Sequence, residues 1–458
     1  MPPTTRDLPD DGRAYSATGS GFVFPIKGRR PFAVMIDNQG SRVLPQGGLD
    51  RAQIVYEIIV EGGITRFMPV FWVQGAPAEP DLEPESGAAG SETAEPASAG
   101  GSQSAVQAGA PTRAAAVPES LAAGAAAGTA TGAATGTSAD SAASAAAGTS
   151  TGTATGSVAG TSTGTATGSV AGTSADSAAG STTGSAADSA ADSAAGSSGA
   201  PTASPTIWDA VAPAAHDGNP LPIIGPVRSA RHYFLNYALE HDAIYFHIGQ
   251  SYIALREFRP LGIDHVDSGG VYHDLTRSKN NWQDSFTSSE KMLAHVEKQG
   301  YRTETSQPGV FDYYLSDQPL ESGAPCSQLK VKYSASYFAD YAYDAGSGLY
   351  MRSRNGKPHM ARETESSTST STQISAKNIV IQFIRNSRYD SEDRQELHDV
   401  GNGEGWLITL GKAAKIRWSK ASRGAQTVFA HESGEPLILN PGQTFVQIVP
   451  LSGEAVFS

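Results

Sequence analysis

The feature that most constrains this 458-residue chain is a stretch with almost nothing to bury. From residue 76 to residue 206 the sequence is almost entirely Ala, Gly, Ser, Thr and Pro. It holds no aromatic residue and no Ile, and its only leucines are Leu82 and Leu121. Within it, TSTGTATGSVAG at 149–160 recurs unchanged at 161–172. Units this short and polar bury too little apolar surface to offset chain entropy, so the tract is expected to be a disordered insertion and not a solenoid. Its Ser/Thr density suits either O-glycosylation on an exported protein or an unmodified spacer.

Charge follows the same division. The whole chain carries a formal charge of −13, but 11 acidic residues and a single basic one, Arg113, fall inside the tract. The other 327 residues are therefore nearly neutral, which argues against a general nucleic-acid binder. They suffice for two ordinary domains. No run reaches the roughly 18 apolar residues of a membrane helix. The start, MPPTTRDLPDDGRAYSATGSG, shows no basic-then-apolar signal and no early Cys, so no export address is expected in it. The chain would then be cytoplasmic, or a mature or mis-started form of an exported protein. A lone cysteine, Cys326, excludes an intrachain disulfide. With no His or basic cluster beside it, it reads as a packed residue.

Before the tract, PFAVMIDN (31–38) reads as a buried strand ending in turn residues. IVYEIIV (54–60) and ITRFMPVFW (64–72) read as strands around the turn Glu61-Gly62-Gly63. After the tract, Tyr233, Phe234, Tyr237, Ala238 and His241 recur at helical spacing, with Ser229 placed to cap that helix. AIYFHIG (243–249) is a compact strand, and a helix is expected from Ser251 to about Pro260. Thr287 and Glu290 form a capping-box pattern before SSEKMLAHVEKQ, which Gly300 would end. From about Lys330 the chain reads as nearly all β, with alternation through Tyr337–Tyr343 and a turn at Asn355-Gly356. The expected fold is α+β: a mixed α/β N-terminal domain (30–75 plus 207–329) after a flexible segment 1–29, with the 76–206 insertion, and a β-rich C-terminal domain (330–458) packed on it as a small sheet or barrel-like module.

The blocks RPFAVMIDN, GLDRAQIVYEIIVEGGITRF, IGPVRSARHYF, DAIYFHIG, GIDH, GLYMRSRNGKPH, QISAKNIVIQF and LNPGQTFVQIVP resemble, in order, the YerB-like family of bacterial proteins described as lipoproteins. The resemblance implies a two-part domain of unknown function, a location outside the membrane in the cell envelope, and a tract inserted into a normally short loop. Membrane attachment would run through an N-terminal anchor, and the lipobox expected for one is absent here. Where the family pattern has a His-Asn pair before the third helix, this chain has Gln283 and Asp284.

Candidate chemistry is sparse. Arg228, Ser229 and Arg231 sit where a helix N-terminus offers free N–H groups and the positive end of a dipole. Guanidinium forks favour phosphate or carboxylate, so this is the candidate anion site. The same arginines could instead pair internally with Asp or Glu. Glu61 and Arg66 bracket the EGG turn, either to line a ligand site or to satisfy each other. Glu57 would share a strand face with Glu61 if the strand continued, bringing two carboxylates together as acid/base hydrolases require. His247 and the Asp264-His265/Asp267 group lack metalloprotease or zinc spacing, so no metal and no cofactor is expected. Arg277, Ser278 and Lys279 form a basic loop. Arg352, Arg354 and Lys357 near Tyr350, and Lys412, Lys415, Arg417, Lys420 and Arg423 around Trp418, mix bases with aromatics, as anionic-polymer sites do and as strand alternation also does.

Three functions remain open on these residues. The first is a non-enzymatic envelope protein binding an anionic polymer or other partner through Arg228, Ser229 and Arg231, with Glu61 and Arg66 at the rim. The second is an enzyme acting on a phosphorylated or glycosidic wall polymer, with Glu61 as acid/base. The third is a structural adaptor presenting an apolar surface to other proteins.

Overall fold

The computed structural model describes residues 2–73, 207–214, 220–267, 270–275, 284–366 and 372–458. The expected disordered tract, the basic loop at Arg277, Ser278 and Lys279, and Gln283 lie outside them.

The principal elements follow the chain in order. β1 (Phe32–Val34), β2 (Ile54–Ile59) and β3 (Thr65–Phe71) precede the tract. After it come α1 (His232–Glu240), β4 (Ile244–Phe246), α2 (Tyr252–Leu261), β5 (His265–Val266) and α3 (Ser289–Gln299). Then β6 (Gln328–Lys332), β7 (Phe338–Asp344), β8 (Leu349–Arg354), β9 (Asn378–Arg388) and β10 (Gln395–His398). The last are β11 (Gly401–Thr409), β12 (Lys412–Lys420), β13 (Thr444–Pro450) and β14 (Glu454–Phe457). The fold is mixed, and richer in strands than in helices.

One large sheet runs in the order β12-β11-β9-β13-β2-β3-β1-β4-β5. It does not stop at the boundary between the two halves of the chain. β13, near the C-terminus, lies parallel to both β9 and β2, in register Thr444 to Ile54. The C-terminal strands therefore extend the N-terminal sheet as well as packing on it. Strands buried on both faces read as apolar on both, and β2 and β13 are buried throughout, with Glu57 and Gln447 as polar interruptions. A second sheet, β8-β7-β6-β14, covers one face of the first.

Pleating assigns the two faces of β2. Tyr56 points toward α1, where its ring meets Tyr237 at 5.0 Å. The next residue, Glu57, points toward the second sheet, where Tyr333 donates to its backbone carbonyl at 3.0 Å. β13 repeats the pattern, Phe445 meeting Tyr341 at 6.2 Å.

Helix ends follow their chemistry with two corrections. Ser251 caps α2 and Gly262, at φ +66°, closes it; Gly300, at φ +65°, closes α3 as expected. The cap of α3 is Ser288 and not Thr287, whose hydroxyl instead donates to the Val271 carbonyl at 2.9 Å. α1 has Arg231 at its N-cap with no side-chain bond: the helix starts two residues later than a Ser229 cap requires, and the Ser229 hydroxyl accepts from Arg66 and Arg231 instead. Residues 2–29, read as flexible, pack on the body: Phe22 and Phe24 lie against Tyr313, and Tyr15–Ala17 pairs with Val211–Pro213. Their aromatic rings supply the apolar surface that a free tail lacks.

Candidate functional site

The site is built where three backbone segments meet. The chain leaving β1 carries Asp37, and the segment before α1 crosses it: Arg228 N donates to Met35 O at 2.8 Å and Asp37 N to Pro226 O at 2.9 Å. The loop after β4 holds the other side, with Ala230 N donating to Gly249 O at 3.0 Å. Glu61 stands in a 3-10 turn between β2 and β3, and Arg66 is the second residue of β3.

These segments bring together all five expected residues, Glu61, Arg66, Arg228, Ser229 and Arg231, and add Asp37. Arg231 Nε bonds Glu61 Oε1, and Arg66 Nη2 lies 3.9 Å from Glu61 Oε2. Ser229 is the hub: Arg66 Nη1 donates to its carbonyl at 2.5 Å, and Arg231 Nη1 donates to its hydroxyl at 2.9 Å. Arg228 Nε lies 3.3 Å from Asp37 Oδ2. Internal pairing is thus real, but three guanidinium groups meet two carboxylates. Arg66 is only 4 % exposed, and its Nε has no hydrogen-bond partner among the described residues.

The electrostatics follow. Burial, then the neighbouring Arg231, pulls Arg66 down to about 10. Burial also lowers Arg228 and raises Asp37. For Glu61, burial works upward, but Arg231 and Arg66 outweigh it and hold the carboxyl below its ordinary value.

The paired-carboxylate expectation fails. β2 ends at Ile59, so Glu61 is not on its face, and Glu57 turns into the protein. Glu57 and Arg352 belong to a saturated buried network. Arg352 Nη2 contacts Glu57 Oε2 at 2.9 Å, Arg352 Nε donates to Tyr341 at 3.2 Å, and Thr65 and Tyr337 donate to Glu57 Oε1. Arg352 Nη1 bonds His359 Nδ1. Since Arg only donates, Nδ1 accepts, and the Nε2–H of His359 donates to Gln46 Oε1. Gln46 in turn donates to the Asp37 carbonyl at 2.7 Å, and Asn38 donates to Thr65 at 2.7 Å. Asp37-Asn38 therefore joins the arginine cluster to this network. Both were read as turn residues, and only their position at a strand end pointed to them.

Other candidates resolve as structure. His247 Nε2 and His265 Nδ1 are 3.0 Å apart, and Phe258 stacks on both rings. Among the described residues no group of three or more His, Cys, Asp or Glu is placed to hold a metal. Cys326 is buried, with its thiol pushed up to about 11. Of the interleaved bases, Arg352 is internal, Lys420 pairs with Glu240 at 2.6 Å, Arg423 pairs with Glu257 at 2.7 Å, and Lys412 donates to Leu320 O.

Comparison with known proteins places this arrangement. The N-terminal domain model of the family described as "Protein of unknown function (DUF3048)" matches residues 18–81 and 216–302, and its C-terminal domain model matches 329–446. A Bacillus subtilis (strain 168) protein described as "Putative lipoprotein YerB" is 25 % identical over 237 residues, 50 % of this chain and 67 % of that one. The crystal structure of the YerB protein from Bacillus subtilis covers 93 % of this chain and 94 % of its own, with a TM-score of 0.53 and 19 % identity. At that identity the likeness is one of fold.

Proposed function

We propose that this chain, which belongs to the DUF3048 family of proteins of unknown function, is a cell-envelope protein that binds an anionic group at the arginine cluster. The observation that carries this reading is the convergence of three guanidinium groups, Arg66, Arg228 and Arg231, around Ser229, with Asp37 and Glu61 between them. These guanidinium groups lie beside the N-terminal end of α1, which no side chain caps. Free amides, a dipole end and guanidinium forks all favour a phosphate or carboxylate. The envelope location rests on the description of the Bacillus relative as a lipoprotein. An acid role for Glu61 finds less support, because its neighbours favour the ionised form that cannot donate a proton.

The test is co-sedimentation with bacterial cell-wall sacculi, with and without their anionic polymers, at two salt concentrations. Wild type is run beside the Arg228→Ala/Arg231→Ala variant, with folding followed by circular dichroism. Binding that needs the polymers, weakens with salt and disappears in the folded variant supports the reading. Equal binding by both proteins, or none by either, overturns it.

A further inference from the structure

The Glu61–Gly63 turn has two sides. Glu61 faces Arg231 and Arg66, while Gly62 and Gly63 line a cleft of about 660 Å³. β10 borders both spaces. Gln395 lines the cleft, and the next residue, Glu396, bonds Nε2 of His232, the first residue of α1, at 2.8 Å. The cleft therefore adjoins the arginine cluster across one turn and one strand.

Its lining differs in kind from the cluster. Ser334, Ser336, Asn386, Ser387 and Gln395 bring hydroxyls and amides. The two cations of the cleft are already balanced: Lys332 lies 3.9 Å from Glu454 and Arg388 lies 3.1 Å from Asp393. What remains is a neutral, hydrogen-bonding trough, of a volume that holds a drug-sized ligand. Its wall is joined to the turn, since the Ser334 hydroxyl donates to the Gly63 carbonyl at 2.6 Å.

Building on the anion-site reading, we infer that cleft and cluster form one continuous site for a polyol phosphate chain, a polymer alternating phosphodiesters with hydroxyl-bearing units. A phosphate sits at the arginines and the neighbouring hydroxylated units lie in the cleft. A lone phosphate uses only the first part, and an uncharged glycan only the second. The pairing of an arginine-rich cluster with an adjoining neutral polar trough is what selects a ligand carrying both chemistries.

The experiment compares two probes on the intact chain by titration calorimetry: inorganic phosphate and a synthetic glycerol phosphate hexamer. The hexamer is expected to bind about tenfold more tightly than phosphate. Ser387→Trp, at an exposed position on the cleft wall, removes that gain and leaves phosphate affinity unchanged. Ser336→Trp, from the other sheet, repeats the block should the first variant melt early. Equal affinity for the two probes, or a gain that survives both tryptophans, overturns the continuous site while the anion site stands. Failure of both probes to bind wild type overturns the anion site and this inference together.

Discussion

Glu57 on β2 and Arg352 on β8 stand 295 positions apart in the chain and form an ion pair at 2.9 Å with neither side chain exposed to solvent. The pair joins the large sheet to the second sheet, and the rings of Phe67 and Phe445 lie 5.1 and 5.7 Å from the guanidinium carbon. The remaining donors and acceptors are taken up by Thr65, Tyr337, Tyr341 and His359. It is a pin between layers, built from groups that are costly to bury alone.

Removing one partner is therefore expected to be worse than removing both. Arg352→Met strands the Glu57 carboxylate in a dry interior, at a cost of about 3–5 kcal/mol. Glu57→Leu/Arg352→Met recovers most of that loss. Urea denaturation of the three proteins checks it; an Arg352→Met variant within about 1 kcal/mol of wild type would show that the pin carries no stability.

Acid should weaken the fold well before its carboxylates titrate. Burial, outweighing any charge effect, takes His241 and His247 down to about 4. Burial followed by Arg352 and Arg354 takes His359 well below its ordinary value. Unfolded histidine titrates near 6.5. Below that pH the unfolded chain takes up protons that the folded one refuses, so the stability is complete above about pH 6.5 and falls toward pH 4. The loss between pH 7 and 5 is roughly 2 kcal/mol per histidine. Asp37, Asp50 and Asp399, raised by burial, act in the opposite sense at the lower end of this window. Urea midpoints at pH 7, 6 and 5 test this, and a flat profile would contradict it.

Sequence reading reached the parts whose causes are local. AIYFHIG, the Ser251 cap, the Gly300 stop and the Asn355-Gly356 turn each carry their reason within a few residues, and each is where it was expected. Glu61, Arg66, Arg228, Ser229 and Arg231 were legible as polar groups beside turns, and their convergence on one hub is what the fold adds. The role of Glu57 could not be read locally, because its partner lies 295 residues downstream. Asp37 and Asn38 looked like a turn for the same reason: Asn38 is buried by Tyr337 and Arg354, which local pattern cannot connect to it. The pairing of β13 with β2 is equally non-local.

The two turn glycines should separate backbone strain from cleft geometry. Gly62 and Gly63 both have left-handed φ, at +69° and +72°. A Cβ at Gly62 meets nothing within 4 Å, whereas one at Gly63 lies 3.0 Å from Ser334 Cβ and Oγ. Gly62→Ala is expected to cost about 1 kcal/mol. Gly63→Ala should cost about 1 kcal/mol more through this contact, and should weaken hexamer binding by shifting the wall. Thermal melts and the same titrations read both effects. Identical behaviour of the two variants would mean that the Ser334 contact relaxes freely.

The most discriminating substitution is Glu61→Gln. Glu61 is ionised at neutral pH and shared by Arg231 and Arg66. Neutralising it makes the cluster more positive by one charge while nearly preserving shape. If the arginines serve a ligand, phosphate should bind about five- to tenfold more tightly at low salt, a gain near 1 kcal/mol. The gain should shrink as salt is raised. Stability should fall by about 1–2 kcal/mol, since Arg231 loses its charged hydrogen-bond acceptor and Arg66 its ion-pair neighbour. An enzyme using Glu61 as its acid or base would instead lose turnover with binding intact. A cluster that exists only to stiffen the turn would lose stability and bind phosphate no better than before. Unchanged or weaker phosphate affinity in a folded Glu61→Gln protein would mean that the arginines are there to hold Glu61, and that the ligand site lies elsewhere.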